Sequence, residues 1–93
     1  MGEAPSSADS MFELGVMYAS GRDMPVDLIS AHKWFNIAAA KGHAEAASRR
    51  REIATEMSDA EIGQAQRAAR DWLRAHPAPA APAMASPALR AAA

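Results

Sequence analysis

Three histidines, His32, His43 and His76, are the side chains best suited to acid–base or metal chemistry, because the chain has no cysteine. A histidine that acts as a base is commonly oriented by a third group. No carboxylate lies three or four residues from His32, the spacing that shares a helix face; Asn36 does. Glu45 lies too close to His43 in sequence for the two side chains to share a helix face. A zinc site needs three or four ligands. We therefore predict no catalytic residue, metal site, cofactor or small-molecule substrate, and a half-exposed His32.

The composition limits the size of the hydrophobic core. Of 93 residues 49% are apolar, but 25 of these are alanine and only 21 are larger. A chain of this length forms at most one domain and buries roughly 60% of its unfolded surface, so we expect marginal stability. The absence of cysteine excludes disulfides and thiolate metal sites.

Arginines are concentrated in the second half of the chain and raise the question of nucleic-acid binding. Residues 44–75 hold six basic and six acidic residues, and the net charge of the whole chain is −1. Consecutive residues on a helix point about 100° apart, so neighbouring arginines cannot form one stripe. We predict a solvated face with internal ion pairs and keep nucleic-acid binding as the less favoured alternative. The arginines concerned are Arg49, Arg50, Arg51, Arg67, Arg70 and Arg74.

Neither a signal peptide nor a membrane helix of roughly 20 apolar residues is recognisable, which predicts a cytoplasmic protein without a membrane span. Gly2 and Ser6 fit a loose lipid-attachment pattern, but Glu3 and Pro5 make it a poor example. We expect residues 1–6 to be an ordinary disordered start.

Apolar residues at spacings of three and four predict two helices in the first half of the domain. Ser6 or Ser7 can cap the first helix, and Gly21 can end it in a left-handed conformation. Asp27 caps the second helix, and Lys41-Gly42 closes it. The predicted apolar face of this second helix is Leu28, Ala31, Phe35, Ala38 and Ala39, with Trp34 and Ile37 on its flanks.

Two further helices are predicted before the composition changes. The third covers Ala44 to Met57, and Ser58 and Glu61 form a capping box that begins the fourth. Residues 7–75 are thus predicted to form one helical domain. Residues 76–93 are rich in proline and alanine and predict a disordered tail. The inward positions are Ala47, Ile53, Ala54 and Met57 in the third helix and Ile62, Ala65, Ala69, Trp72 and Leu73 in the fourth.

The first two helices carry a pattern that resembles the Sel-one-like repeats, relatives of the tetratricopeptide repeats. Small residues on paired helices let the backbones approach closely, and the aromatic residues fill the remaining volume. One departure is Asp23, where a second loop glycine is common. The matching residues are Ala8, Leu14, Gly15, Tyr18, Gly21, Pro25, Asp27, Ala31, Trp34, Phe35, Ala38, Ala39, Gly42 and Ala46.

A weaker match to the same repeat pattern lies 39 residues further on, where Ala47 and Ile53 take the places of Ala8 and Leu14. The fourth helix lacks the aromatic and double-alanine signature and looks like a terminal cap of a repeat array. The resemblance implies an all-α fold of antiparallel helical hairpins, stacked as a short tetratricopeptide-like solenoid of about four helices. It also implies binding to other proteins and no catalytic residues.

The sequence therefore predicts a protein-interaction module, either a small adaptor or accessory subunit of a larger complex or a self-assembling unit. Met11, Met17, Trp72 and Leu73 are predicted to stay partly exposed and to contact the partner. Residues 1–31 carry a net charge of −4 and residues 32–93 a net charge of +3. This asymmetry would steer contacts between copies or with a charged partner.

Overall fold

The computed structural model of the chain describes residues 7–77, and it contains four helices and no strand in this range. The all-α class and the number of helices are confirmed. The predicted disordered start, the lipid-attachment pattern and residues 78–93 of the predicted tail lie outside the described residues. The helices are α1, Ala8–Ser20; α2, Leu28–Ala40; α3, Ala44–Ala54; and α4, Asp59–Ala75.

Side chains named from the sequence fix three of the four helix starts. Ser7 and Asp27 each accept a hydrogen bond at 3.0 Å from the backbone N–H three residues on. At the start of α4, the Ser58 hydroxyl accepts from the Glu61 amide at 3.1 Å, and the Glu61 carboxylate accepts from the Ser58 amide at 2.9 Å. These bonds satisfy amides that have no partner within their own helix.

The third helix ends at Ala54, three residues before the predicted end at Met57. The amides of residues 55–57 bond to carbonyls three residues back, a tighter turn than the α-helix. The Thr55 hydroxyl also donates to the Glu52 carbonyl at 2.7 Å. The prediction was wrong here because apolar spacing continues through the turn, whereas the Ser58 cap requires extended backbone and the chain must leave the helix before it.

The second helix is the centre of the fold, since α1, α3 and α4 all pack against it. Ile37, predicted on the flank of α2, is fully buried, and His32, predicted to be half-exposed, is only 2% exposed. Both expectations were wrong for the same reason. They assumed one buried stripe, but a helix with three neighbours is covered on several sides.

Small residues line the contacts that surround α2. The described part of the chain buries five alanines almost completely, and only three larger side chains are fully buried. Ala46 is the fully buried residue of α3, whereas Ala47, Ile53 and Ala54 are half-buried. The alanines are Ala31 and Ala38 of α2, Ala46 of α3, and Ala65 and Ala69 of α4; the larger residues are Phe35, Met11 and Ile37.

Gly15 sets the distance between α1 and α2. A Cβ atom at this position would lie 2.5 Å from both Cδ1 and Cε1 of Phe35. The Phe35 ring is fully buried and also touches Phe12, with the ring centroids 5.6 Å apart. Because the ring has no free space to move into, the glycine predicted for close approach is required by packing.

We therefore expect Gly15→Ala to destabilise the domain, although alanine is the better helix former by about 1 kcal/mol. Overpacking against the Phe35 ring costs about 1–3 kcal/mol and should outweigh that gain. Thermal unfolding followed by circular dichroism measures the difference. Gly63→Ala is the matched control, because the added Cβ there lies 3.4 Å from the end of a flexible Arg67 side chain. A Gly15→Ala protein more stable than the parent would refute the packing role.

Candidate functional site

The two methionines predicted to face a partner differ in exposure. Met17 is 38% exposed, as expected for a contact residue, but Met11 is fully buried. The prediction for Met11 was wrong because it lies four residues from Gly15, on the face of α1 that packs against α2. Met11 therefore belongs to the core and is not available to a partner.

Trp72 and Leu73 are half-buried and serve the attachment of α4 to α2. The Trp72 ring meets Trp34 edge-on with centroids 5.5 Å apart, and the His76 ring stacks on Trp72 with centroids 4.1 Å apart. Leu73 lines a shallow hollow of about 400 Å³ shared by α2 and α4. Since α1 and α4 do not pack closely on each other, these residues and Met17 do not form one surface.

A larger groove lies where the α1–α2 loop meets the turn between α3 and α4, and we call it the loop-edge groove. Its volume is about 530 Å³, within the usual range of ligand pockets. Val26, at its rim, is 57% exposed, more than any other large apolar residue described. The apolar lining residues are Tyr18, Met24, Pro25, Val26, Leu28 and Ile29; the others are Asp27, Glu56 and Glu61.

The backbone holds the loop of this groove in place. Gly21 adopts a left-handed conformation with φ +68° and donates its N–H to the Met17 carbonyl at 3.3 Å. The amide of Asp27 donates to the Tyr18 carbonyl at 3.0 Å, which ties the far end of the loop to α1. A methyl group of Val26 would lie 2.6 Å from a Cβ atom at Gly21. The groove is thus formed before any ligand arrives.

Every charged side chain that lines the loop-edge groove is a carboxylate: Asp27, Glu56 or Glu61. None of the three belongs to an ion pair within residues 7–77. Two helices end and two begin at this edge, so their dipole charges, about half a unit each and of opposite sign, nearly cancel. The full negative charges of the lining carboxylates therefore outweigh the helix dipoles at the groove.

The arginines of the second half are largely engaged within the chain. Arg49 pairs with Glu45 at 3.4 Å and Arg74 pairs with Asp71 at 3.7 Å, as the predicted internal ion pairs require. The Arg50 guanidinium donates to the Asn36 side-chain carbonyl at 2.7 Å. These three arginines of α3 and α4 thus each have a polar partner on another side chain of the chain.

His43 has a structural role that the sequence did not reveal. Its Nδ1 accepts from the Ala46 amide at 3.2 Å and caps α3, which places the ring proton on Nε2. Nε2 lies 3.4 Å from an Asp9 carboxylate oxygen, and the ring stacks on Phe12 at 4.3 Å. The sequence signal for this cap was a polar residue that stands between Gly42 and a helical pattern.

His32 is the one buried polar side chain that the described residues leave without a partner, at its Nδ1 atom. Burial lowers the pKa of His32 below its usual 6.5, and the positive charge of Arg50 lowers this pKa further. Burial and the nearby Arg50 thus both favour the neutral form of the imidazole. Within residues 7–77 no three acidic or histidine side chains converge as a metal site.

The pattern of the first two helices matches a known repeat. Residues 8–43 fit the family model described as Sel1 repeat. This segment is therefore similar to a Sel1 repeat. The match covers the whole α1–α2 hairpin and its loop, including Gly15, Trp34 and Phe35. It confirms the predicted resemblance, and Sel1 repeats generally mediate protein–protein interaction.

Other comparisons add no further relative. Neither the comparison with curated proteins nor that with solved structures finds a significant match. None of the helices described for residues 7–77 combines the length and the apolar character needed to cross a membrane.

The buried His32 predicts a loss of stability in acid. In the unfolded chain His32 binds a proton near pH 6.5, whereas the folded chain resists its protonation. The contribution of the neutral His32 to the free energy of unfolding is therefore complete above pH 6.5 and falls as the pH decreases. The slope attributable to His32 has an upper limit of about 1.4 kcal/mol per pH unit, the value for one proton. Urea unfolding of the parent and of His32→Leu between about pH 7.5 and pH 5 measures it. Equal slopes for both proteins would contradict this origin.

The aromatic contact between α2 and α4 predicts that Trp72→Ala destabilises the fold. Truncation of a fully buried tryptophan costs about 3–5 kcal/mol, and a half-buried one should cost roughly half of that. Thermal unfolding measures the loss. Met17→Ala is the control, because this exposed side chain should change stability by less than about 0.5 kcal/mol. Equal melting temperatures for Trp72→Ala and the parent would show that the ring does not hold α4.

Proposed function

We propose that this chain is a protein-interaction module, a small adaptor or accessory subunit that docks onto a larger protein through the loop-edge groove. The observation that carries the proposal is the preformed apolar groove of about 530 Å³ with Val26 57% exposed at its rim. Exposed apolar surface beside polar groups is typical of interaction sites. The similarity of residues 8–43 to a Sel1 repeat supports the same class of function.

The contact residues proposed from the sequence enter this function in different ways. Met17 stays a candidate for a second contact, because it is exposed and lies one residue before Tyr18 of the groove. Trp72 and Leu73 act first as packing residues between α2 and α4. A partner at Trp72 would have to share the ring with Trp34 and His76.

The proposal is tested by placing a photo-crosslinking amino acid at position 26 and, in a separate variant, at position 17, in the cell that makes the protein. We expect a discrete crosslinked species of higher mass from position 26, identified by mass spectrometry. The same species should be lost when Leu28→Ser is introduced in the groove of the crosslinking variant.

Two results would overturn the proposal. A crosslink from position 17 alone would move the contact away from the groove. Crosslinks that join only copies of this chain, together with a molar mass that rises with concentration in light scattering, would support the self-assembling alternative instead.

A further inference from the structure

The loop-edge groove combines two features that together specify the chemistry of an occupant. Its floor is apolar and preformed, while its only charged lining residues are acidic. Resting on the proposed function, we infer that the groove binds an exposed segment of a partner protein in which apolar side chains are flanked by lysine or arginine. The carboxylates select the flanking charges, and the floor takes the apolar side chains.

The three carboxylates differ in how far the fold already occupies them. Asp27 accepts from the amide and the hydroxyl of Ser30, at 3.0 and 2.8 Å. Glu61 uses one oxygen, Oε1, for the capping box. Glu56 makes no side-chain hydrogen bond or ion pair with any residue of the range 7–77 that the structure gives. Glu56 and the second oxygen of Glu61 are therefore the acceptors most open to a partner's cation.

Charge decides between a cationic and an anionic occupant. Helix starts attract anions, and α2 and α4 both begin at the groove. The ends of α1 and α3 at the same edge offset this attraction, and three carboxylates add their full negative charges. An acidic segment would be repelled, whereas a basic one gains attraction that also speeds its encounter with the groove.

The caps allow the negative charge to be removed without disturbing the fold. Glutamine serves at the third helical position of a capping box as glutamate does, so Glu61→Gln keeps its bond to the Ser58 amide. Glu56→Gln changes a side chain in an exposed turn. The double variant therefore removes two charges from the groove at nearly constant shape. Glu13→Gln on α1, outside the groove, is the matched control.

The experiment uses the full chain and three capped synthetic peptides that share a leucine–phenylalanine centre and differ in their flanks, which are lysine, serine or glutamate. Binding is measured by fluorescence anisotropy, and the site is mapped by amide chemical-shift changes. We expect the lysine peptide to bind tightest and to shift the amides of Tyr18, Val26 and Leu28. Raised salt should weaken this binding.

The variants give the expected sizes of the effects. Each exposed charge pair that is lost weakens binding by about 1.5- to 5-fold, so the double variant should bind the lysine peptide about 2- to 25-fold more weakly. Val26→Ala should weaken binding of all three peptides by about 3- to 10-fold through lost apolar contact. Glu13→Gln should leave the affinities unchanged.

Several results overturn the inference, and they can be told apart from a failure of the proposed function. Equal affinity for the lysine and serine peptides, or tighter binding of the glutamate peptide, refutes the selection by charge and leaves a docking groove. Shifts that map to α4, or no binding of any peptide, refute the basic segment as occupant. The crosslink from position 26 reports on the proposed function by itself, whichever peptide binds.

Discussion

The contact between the Phe35 ring and the bare backbone of Gly15 is the constraint on which the rest of the fold depends. It brings α1 against α2 more closely than any side chain at position 15 would allow. A chain with few large apolar residues stabilises itself in this way, since close contact between small residues replaces the volume that larger side chains would fill. Small buried residues also lie at Ala38, Ala46 and Ala69, where the other helices reach α2.

Enclosing α2 on several sides has a consequence for its polar residues. His32 becomes buried with an unpaired ring nitrogen, and the charge of Arg50 beside it opposes protonation. A buried ring nitrogen without a hydrogen-bond partner costs stability. His43 and His76, in contrast, lie at the start of α3 and the end of α4 and stack on Phe12 and Trp72.

The loop-edge groove arises from the same elements that end and begin the helices. Gly21 stops α1, the Asp27 carboxylate accepts from the Ser30 amide in the first turn of α2, and the Glu61 carboxylate accepts from the amide of Ser58, the residue that caps α4. A helix start favours a carboxylate, so two caps at one edge, joined by Glu56 from the intervening turn, leave negative charge around an apolar floor. Capping, a local requirement, has thereby shaped the electrostatics of the proposed binding surface.

Local signals in the sequence were sufficient to predict the helices of this protein. Ser7, Asp27 and the Ser58–Glu61 box each act within one helical turn, and Gly15 stood out within a repeat pattern, so the helices and their closest contact could be predicted. The burial of His32, Ile37 and Met11 depended on how many helices surround each position, which periodicity does not encode. The loop-edge groove likewise joins residues from the α1–α2 loop to Glu56 and Glu61, some 30 positions away. Only the tertiary structure decides such a surface, because α3 has to fold back along α2 before the two acidic turns meet.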